Sequence, residues 1–574
     1  MGPPYETINQ TDLIIGEAFT EAAGLYLRAK LQKGVTSTFA NVRALYSDHE
    51  KRDSILGLVE SYVDIESSRV LPDHRAAKDP ASTAINGDKQ KDPVQEAKSA
   101  QQLRLSSLYF LAQHFNYPPT QDLTKAMKYI EQALEQEAER IEYLMTKGRI
   151  VKHMGDFVEA SSIMERAREL DKRDRYINTK AAKYQLRSDQ NEMALRTMSM
   201  FTRNEAAGGP LGDLHDMQCL WFLMEDAESY LRQERLGLAL KRYTSIATIF
   251  DVWEEDQFDF HTFSLRKGMI QSYIDLVRWE DTLRQHPFYT RTALGAVRCL
   301  LKLFDEPSLS SGSRTKASEL TNGMTDLSLG DQKRAAKKAR NDQRKQERVE
   351  AKEREDKRIK KPTAEEVEVR KEDPDPLGKR LLQTKTPLED ALKFLVPVLE
   401  LSPTCAQAQQ LGYEIYQRQK QLLPALRCLA QARLVDPSAP KTHEQTCRFL
   451  EWWASAKDTT PSRIKTIAER TLDLGKGEHS AAERNARYLR DHDASAEYIH
   501  GALNVKVTVL NQKLDKKDEQ QMQDAITLQS TSREVAEEGL RLLTGWEAGE
   551  DVVDAYREVA HQRWPRATAL LSKT

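Results

Sequence analysis

Glycine and proline are scarce in this chain, 25 and 21 of 574 residues, and they cluster in few places. A sandwich or barrel of short strands needs turn residues at regular spacing, so that scarcity argues against one. Runs of strict alternation rich in Val, Ile and Thr are nearly absent as well; the best strand candidate is the short NVKVTVL at 504–510. Long apolar runs are missing too. No stretch reaches the roughly 18 apolar residues that a membrane-spanning helix needs.

Cysteine is thinly spread over Cys219, Cys299, Cys405, Cys428 and Cys447. None forms a C-x-x-C pair and no paired His spacing accompanies them, which disfavours structural zinc. An odd, scattered set reads as free thiols in a reducing compartment. The opening MGPPYETINQ has no apolar core of a signal peptide, and Glu6 stands where a myristoylation signal wants Ser or Thr. These features predict a cytoplasmic protein. Enzymatic signatures are also lacking. There is no phosphate-binding G-x-x-x-x-G-K-[ST], no G-x-G-x-x-G, no H-E-x-x-H and no G-x-S-x-G. The R/Q-x-x-G-x-G/A loop that cradles acetyl-CoA in acetyltransferases is missing as well. A non-catalytic chain is expected, with no catalytic and no metal-ligating residues.

What is present is helix. Apolar residues, 39% of the chain, recur at three- and four-residue spacing over long windows. Charged residues make up 30%, a surplus that suits an elongated object with much surface. Lys and Arg total 86 against 88 Asp and Glu, a net charge of −2, so any polyanion binding must be local.

Two stretches break the pattern. Residues 70–100 are polar, hold three prolines and read as an insertion. Residues 305–385 read as a linker, within which 331–361 carries 14 Lys/Arg and 7 Asp/Glu. That run is either disordered or a solvated helix held by i,i+4 charge pairs. The predicted divisions are helical repeats at 1–69, the insertion, a repeat array at 101–304, the linker, and a C-terminal helical repeat region at 386–574.

Repeats identify the helical architecture. A tetratricopeptide (TPR) unit places small residues where its two helices cross and large ones on either side. A unit at about 404–437 has Leu411-Gly412, then Ala425, Leu429, Ala432 and Pro437, at spacings that match. Another has Gly148, Gly155, Phe157, Ala160, Met164 and Ala167, and a shift of 34 lands on Ala194, Met198 and Phe201, with Ala182 at the preceding crossing. A third has Ala227, Tyr230, Leu236, Ala239 and Tyr243. The predicted fold is all-α, a TPR-type helical-repeat solenoid with a charged low-complexity linker. Such arrays bind many things, so the fold alone does not name a function.

Three polar features carry candidate chemistry. Asp256, Asp259 and His261 are conceivable metal ligands, but acids at a helix start also favour the macrodipole, and the neighbouring Phe258, Phe260 and Phe263 read as core. His286 precedes Pro287 and reads as shaping a turn. The third is a basic cluster from Lys147 to Lys183, which also holds Arg166, Arg168, Lys172, Arg173 and Arg175. Arg149, Lys152 and His153 lie at i, i+3 and i+4, on one face of one helix. Lys180 and Lys183 fall on the first helix of the next unit. Either an anion joins these cations, or they form a solvated face paired with Asp156, Glu159, Glu165, Glu169, Asp171 and Asp174.

Specific motifs add a family resemblance. DRYINTKAAKYQLRSDQNEMALRTMSMFTR (174–203), MQCLWF (217–222), EDQFDFHTFSLRK (255–267) and LRQHPFY (283–289) resemble the auxiliary subunit of the NatA N-terminal acetyltransferase complex. KGVTSTFANVRALYSD (33–48), LAQHFN (111–116), the Lys-rich linker and TPLEDALKFLVPVLE (386–400) follow in that family's order. The resemblance implies a ribosome-associated scaffold that wraps a small catalytic acetyltransferase and shapes it for Ser, Ala, Thr, Gly and Cys N-termini. It implies as further partners a second acetyltransferase subunit and a small huntingtin-interacting regulator. It implies inositol hexakisphosphate as a structural ligand, held by residues of the KGRIVKH type; these match Lys147, Arg149, Lys152 and His153, with Lys180 and Lys183 alongside. Family members carry further repeats before the matched region, so the chain reads as a fragment, a truncated gene model or an isoform. Two other classes remain open: a TPR adaptor gripping an acidic peptide tail, and an RNA-associated repeat protein acting through 331–361. That run also reads as a nuclear-localisation signal.

Overall fold

The structure is a computed structural model. It describes residues 16–68, 93–205, 208–311, 375–456, 458, 460–472 and 480–571. Every regular element among them is helical. The charged run 331–361 and most of the polar insertion lie outside the described residues, as does 312–374 of the linker.

The chain forms two compact units, and they do not follow linear order. One unit comprises 1–201 together with 436–574; the other comprises 202–435. The first unit opens with α1 (Gly16–Gln32), α2 (Thr38–Val42), α3 (His49–Ser68), α4 (Pro93–Asn116), α5 (Leu123–Gln136), α6 (Ile141–Met154), α7 (Phe157–Leu170), α8 (Arg175–Arg187) and α9 (Asn191–Ser199). The second unit holds α10 (Gly209–Asp216), α11 (Leu220–Arg232), α12 (Leu236–Arg266), α13 (Ile270–Asp281), α14 (Pro287–Asp305), α15 (Lys379–Leu382), α16 (Pro387–Leu401), α17 (Ala406–Arg418) and α18 (Leu422–Val435). The first unit is completed by α19 (Pro440–Ala456), α20 (Ser462–Leu472), α21 (Ala481–Asp491), α22 (Ala496–Thr508), α23 (Lys516–Thr527), α24 (Arg533–Gly545) and α25 (Glu550–Arg563).

Sequential helices pack as neighbours, α6 on α7, α7 on α8, α11 on α12 and α17 on α18, as TPR-type pairs do. The small residues of the repeat pattern sit where they are needed: Ala160, Ala167, Ala182, Ala194, Ala227, Ala239 and Ala432 are fully buried. Gly148 lets α6 approach α7, since a Cβ there would stand 3.2 Å from Met164 Cε and 3.4 Å from the Ala160 carbonyl oxygen. Among the described residues three apolar cores result. One runs from Phe19 to Tyr184, one from Leu220 to Ile415, and a smaller one from Ala496 to Leu570.

Four local readings of the sequence are corrected. Helix α4 begins at Pro93, inside the segment read as a polar insertion; proline suits the first helical turn because its missing N–H is an orphan there anyway. NVKVT of the NVKVTVL run is the end of α22, because burial around most of the helix, at Ile499, His500, Ala502, Leu503 and Val505, outweighs the β-branched propensity of the run. Gly155 is the left-handed cap of α6, at φ +98°, and not a crossing residue. Phe258, Phe260 and Phe263 are 77%, 54% and 46% exposed. The hairpin of α12 and α13 turns Gln257 and Ser264 inward, with His261 Nε2 at 3.3 Å from Glu280 Oε2, and leaves the three phenylalanines outside.

Candidate polyanion site

Helix α6 sets the geometry. Its apolar side, Tyr143, Leu144, Ile150 and Val151, is buried, which leaves Arg149, Lys152 and His153 half-buried along one edge. Asp156 caps the next helix by accepting from the Glu159 backbone N–H at 2.8 Å. Asp174 caps α8 through the N–H groups of Tyr176 and Ile177. Helix α8 then brings Lys180 and Lys183 beside α6, half-buried, with Ile177, Ala181 and Tyr184 packed beneath.

The cations act on one another. Burial raises the Tyr184 phenol of α8 above its ordinary value, and Arg149 and Arg187 pull it back. Lys180 Nζ lies 5.2 Å above the Tyr176 ring. Burial pulls the Lys180 ammonium below its ordinary value, and Lys183, Arg149 and Arg187 depress it further. Burial likewise pushes the His153 imidazole down to about 4, with Lys152, Arg149 and Arg533 adding to the effect and Glu534 opposing it. His153 Nδ1 is 2.7 Å from Asn116 Oδ1 at the end of α4. At neutral pH the ring is therefore uncharged, its Nδ1–H is spent on Asn116, and Nε2 has no proton to give an anion.

Of the predicted residues, Arg149, Lys152, His153, Lys180 and Lys183 come together. Lys147 does not join them. Its Nζ pairs with Glu131 Oε1 on α5 at 3.0 Å, because two residues along a helix turn a side chain by about 200°. Arg168 is likewise occupied, by Glu165 on its own helix.

Two residues enter that the sequence reading passed over. Arg187 lies one turn beyond Lys183 and contributes to the same field; its i+4 spacing made it legible. Arg533, from α24, reaches the cluster from the far end of the chain. Its Cδ stands 2.8 Å from where a Gly155 Cβ would be, and its guanidinium carbon is 5.8 Å from the Phe157 ring centroid. No local pattern announces that approach.

Converging cations on a half-buried surface repel one another, and a compact multivalent anion relieves the repulsion. Guanidinium forks suit phosphate because they make parallel hydrogen bonds. Acid–base chemistry has no comparable arrangement here, since His153 is tied to an amide and the nearby Glu534 is paired with Arg533. Elsewhere Asp256 and Asp259 point to solvent and His261 faces Glu280, so those three do not converge. Among the described residues no group of three or more His, Cys, Asp and Glu is placed to hold a metal ion. His286 caps α14, its Nδ1 accepting from the Phe288 N–H at 3.2 Å.

Comparison with known proteins places the chain. Residues 10–432 match the family profile described as N-terminal acetyltransferase A, auxiliary subunit. The chain is 30% identical over 491 residues to the Arabidopsis thaliana protein described as N-terminal acetyltransferase A complex auxiliary subunit NAA15, covering 84% of this chain and 51% of that one. It is 33% identical over 510 residues to the Homo sapiens N-alpha-acetyltransferase 16, NatA auxiliary subunit, covering 85% and 55%. A solved structure described as Naa15/Naa10 bound to HypK-THB holds a similar chain, with 39% identity and a TM-score of 0.60, covering 80% of this chain and 55% of that one. The chain thus spans about half the length of the curated relatives it matches.

Proposed function

Because the chain belongs to the family of N-terminal acetyltransferase A auxiliary subunits, we propose that it is a non-catalytic scaffold that binds and shapes a catalytic acetyltransferase subunit. The substrates of that assembly are nascent chains beginning with Ser, Ala, Thr, Gly or Cys. The observation that carries the reading is the joint match in sequence and fold: a family profile over 10–432 and a TM-score of 0.60 to a chain solved with Naa10 and HypK-THB. A small HypK-type regulator and a second acetyltransferase subunit are partners under the same reading. So is the ribosome, which places the assembly in the cytoplasm.

The basic cluster supports a second element of the proposal, a structural inositol hexakisphosphate. Arg149, Lys152, Lys180 and Lys183 supply its cations, and His153 adds a donor only when protonated. Lys147 contributes charge at a distance, since its ammonium is engaged by Glu131.

Activity is tested on the purified chain and on the chain co-expressed with a catalytic NatA subunit. The chain alone should transfer no acetyl group to any peptide; the pair should acetylate Ser- and Ala-starting peptides. Turnover by the chain alone, or failure of the two to co-purify, overturns the scaffold reading. The ligand is tested by calorimetry at near-physiological salt. Replacing Arg149 and Lys152 together with Glu should abolish binding of inositol hexakisphosphate while helix content persists. Undiminished affinity in that variant puts the ligand elsewhere.

A further inference from the structure

The C-terminal helices meet the repeat array over a polar seam. Helices α22–α25 and the turn after them have their own core, built on Leu503, Ile526, Leu540, Leu543 and Tyr556, which shares no residue with the core beneath α6 and α7. Against the α6–α7 turn they place an arginine stem, a backbone, a hydroxyl and an ion pair. The Arg533 stem and the Ala567 backbone lie on Gly155. Thr568 Oγ1 donates to the Gly155 carbonyl at 3.3 Å, and Arg566 Nη1 pairs with Glu159 Oε2 at 2.9 Å. Half-exposed pairs of this kind hold weakly. At the seam Arg533 adds to the positive field that Lys152 and Arg149 exert on His153, and Glu534 opposes it.

Arg533 is held provisionally. Its side chain is only 10% exposed, its Nη atoms pair with Glu534, at 2.7 Å, and with Glu537, and its buried Nε has no partner. We propose that a compact polyphosphate bound to the α6 and α8 cations is also gripped by Arg533, so that the ligand fastens the C-terminal helices onto the α6–α7 turn. This rests on the polyanion reading above and extends it. Phosphate oxygens take over from Glu534 as partners of the guanidinium, and the positive field at the seam becomes shared attraction to one anion. Glu534 then faces the ligand as a like charge, so it opposes binding. Binding energy spent at the seam appears as added stability of the docked state by linkage.

The test is hydrogen–deuterium exchange and calorimetry on the full chain, with myo-inositol hexakisphosphate as the probe and inorganic phosphate at equal phosphate concentration as the control. Hexakisphosphate should slow exchange in peptides from 533–571 as well as from 147–187, and inorganic phosphate should slow neither. Arg533→Ala should lower affinity about tenfold or more and abolish the protection of 533–571 while that of 147–187 persists. Arg533→Lys should recover part of both, and Glu534→Gln should bind more tightly than the wild type. Protection confined to 147–187 in the wild-type chain, which needs no variant to fold, overturns the bridge and leaves the site on α6 and α8 intact. Wild-type affinity in Arg533→Ala does the same. No binding by the wild-type chain removes the site itself.

Discussion

Arg242 donates through Nε to Asp226 Oδ2 at 2.7 Å, and both side chains are buried, at 6% and 4% exposure. The pair ties α12 to α11 inside the second unit. Removing one partner strands the other charge away from water, at a cost of about 3–5 kcal/mol. Asp226→Ala should therefore lower the stability of that unit by that order in denaturant unfolding. Asp226→Leu combined with Arg242→Met should cost far less, because no charge is left unpaired. Equal losses in the single and double variants would show that shape, not charge, decides the site.

A second prediction concerns close packing. Gly295 of α14 lies against the Tyr243 ring, which is fully buried, so that a Cβ at 295 would overlap the phenol. Gly295→Ala should destabilise by about 1–3 kcal/mol, since the core must shift to admit one methyl group. Gly295→Ala with Tyr243→Leu should recover part of the loss, because the clash is with the ring carbons as well as the hydroxyl. A melting temperature unchanged in Gly295→Ala would mean that the ring moves aside freely.

Acid should loosen the first unit by a mechanism with a stated sign. Burial lowers His114, His153 and His500 from the ordinary 6.5 to about 4. A histidine held neutral in the fold takes up its proton on unfolding, so the stabilising contribution is complete above about 6.5 and is lost as pH falls towards 4. Each such proton steepens the pH dependence by about 1.4 kcal/mol per pH unit within that window. Thermal unfolding between pH 7 and 4 measures it. His500 has neither ring nitrogen hydrogen-bonded, so His500→Leu should flatten the slope without stranding a partner. An unchanged slope in that variant would assign the acid sensitivity to other groups.

The α12–α13 hairpin yields a prediction opposite to a core reading of its aromatics. Phe258→Ser and Phe260→Ser should each change stability by no more than about 0.5 kcal/mol, as exposed positions do. A loss of several degrees in melting temperature from either would mean that the hairpin is covered in the folded chain.

The repeat fold was legible because its signal is steric and local. Ala160 with Met164, and Ala194 with Met198, recur at 34 residues whatever the array binds. The same signal misled at Gly155, where a small residue in nearly the right register serves the backbone of a helix end. It misled differently at 258–263, where periodic aromatics ordinarily mean a core, while Gln257 and Ser264 occupy the inner side. In the basic cluster, Arg149, Lys152 and His153 were readable from spacing. The isolation of Lys147 followed from the same helical wheel but was hidden by treating nearness in sequence as nearness in space. Arg533 was beyond reach, because only tertiary packing brings α24 to the α6–α7 turn.

The interrupted first unit has a consequence for synthesis. Its two halves, 1–201 and 436–574, are separated by the whole of the second unit. A chain leaving the ribosome at about 5–20 residues per second keeps the first half waiting for its complement roughly 10–50 s. Throughout that interval the α6–α7 turn lacks Arg533, Arg566 and Thr568, and by its end residues 202–435 have every segment their own core requires. The second unit can therefore complete its folding before the first closes. Truncation shortly after Val435 should leave a folded middle flanked by an open-ended N-terminal array, whose partly uncovered surface is where chaperones and proteases would first engage the nascent chain.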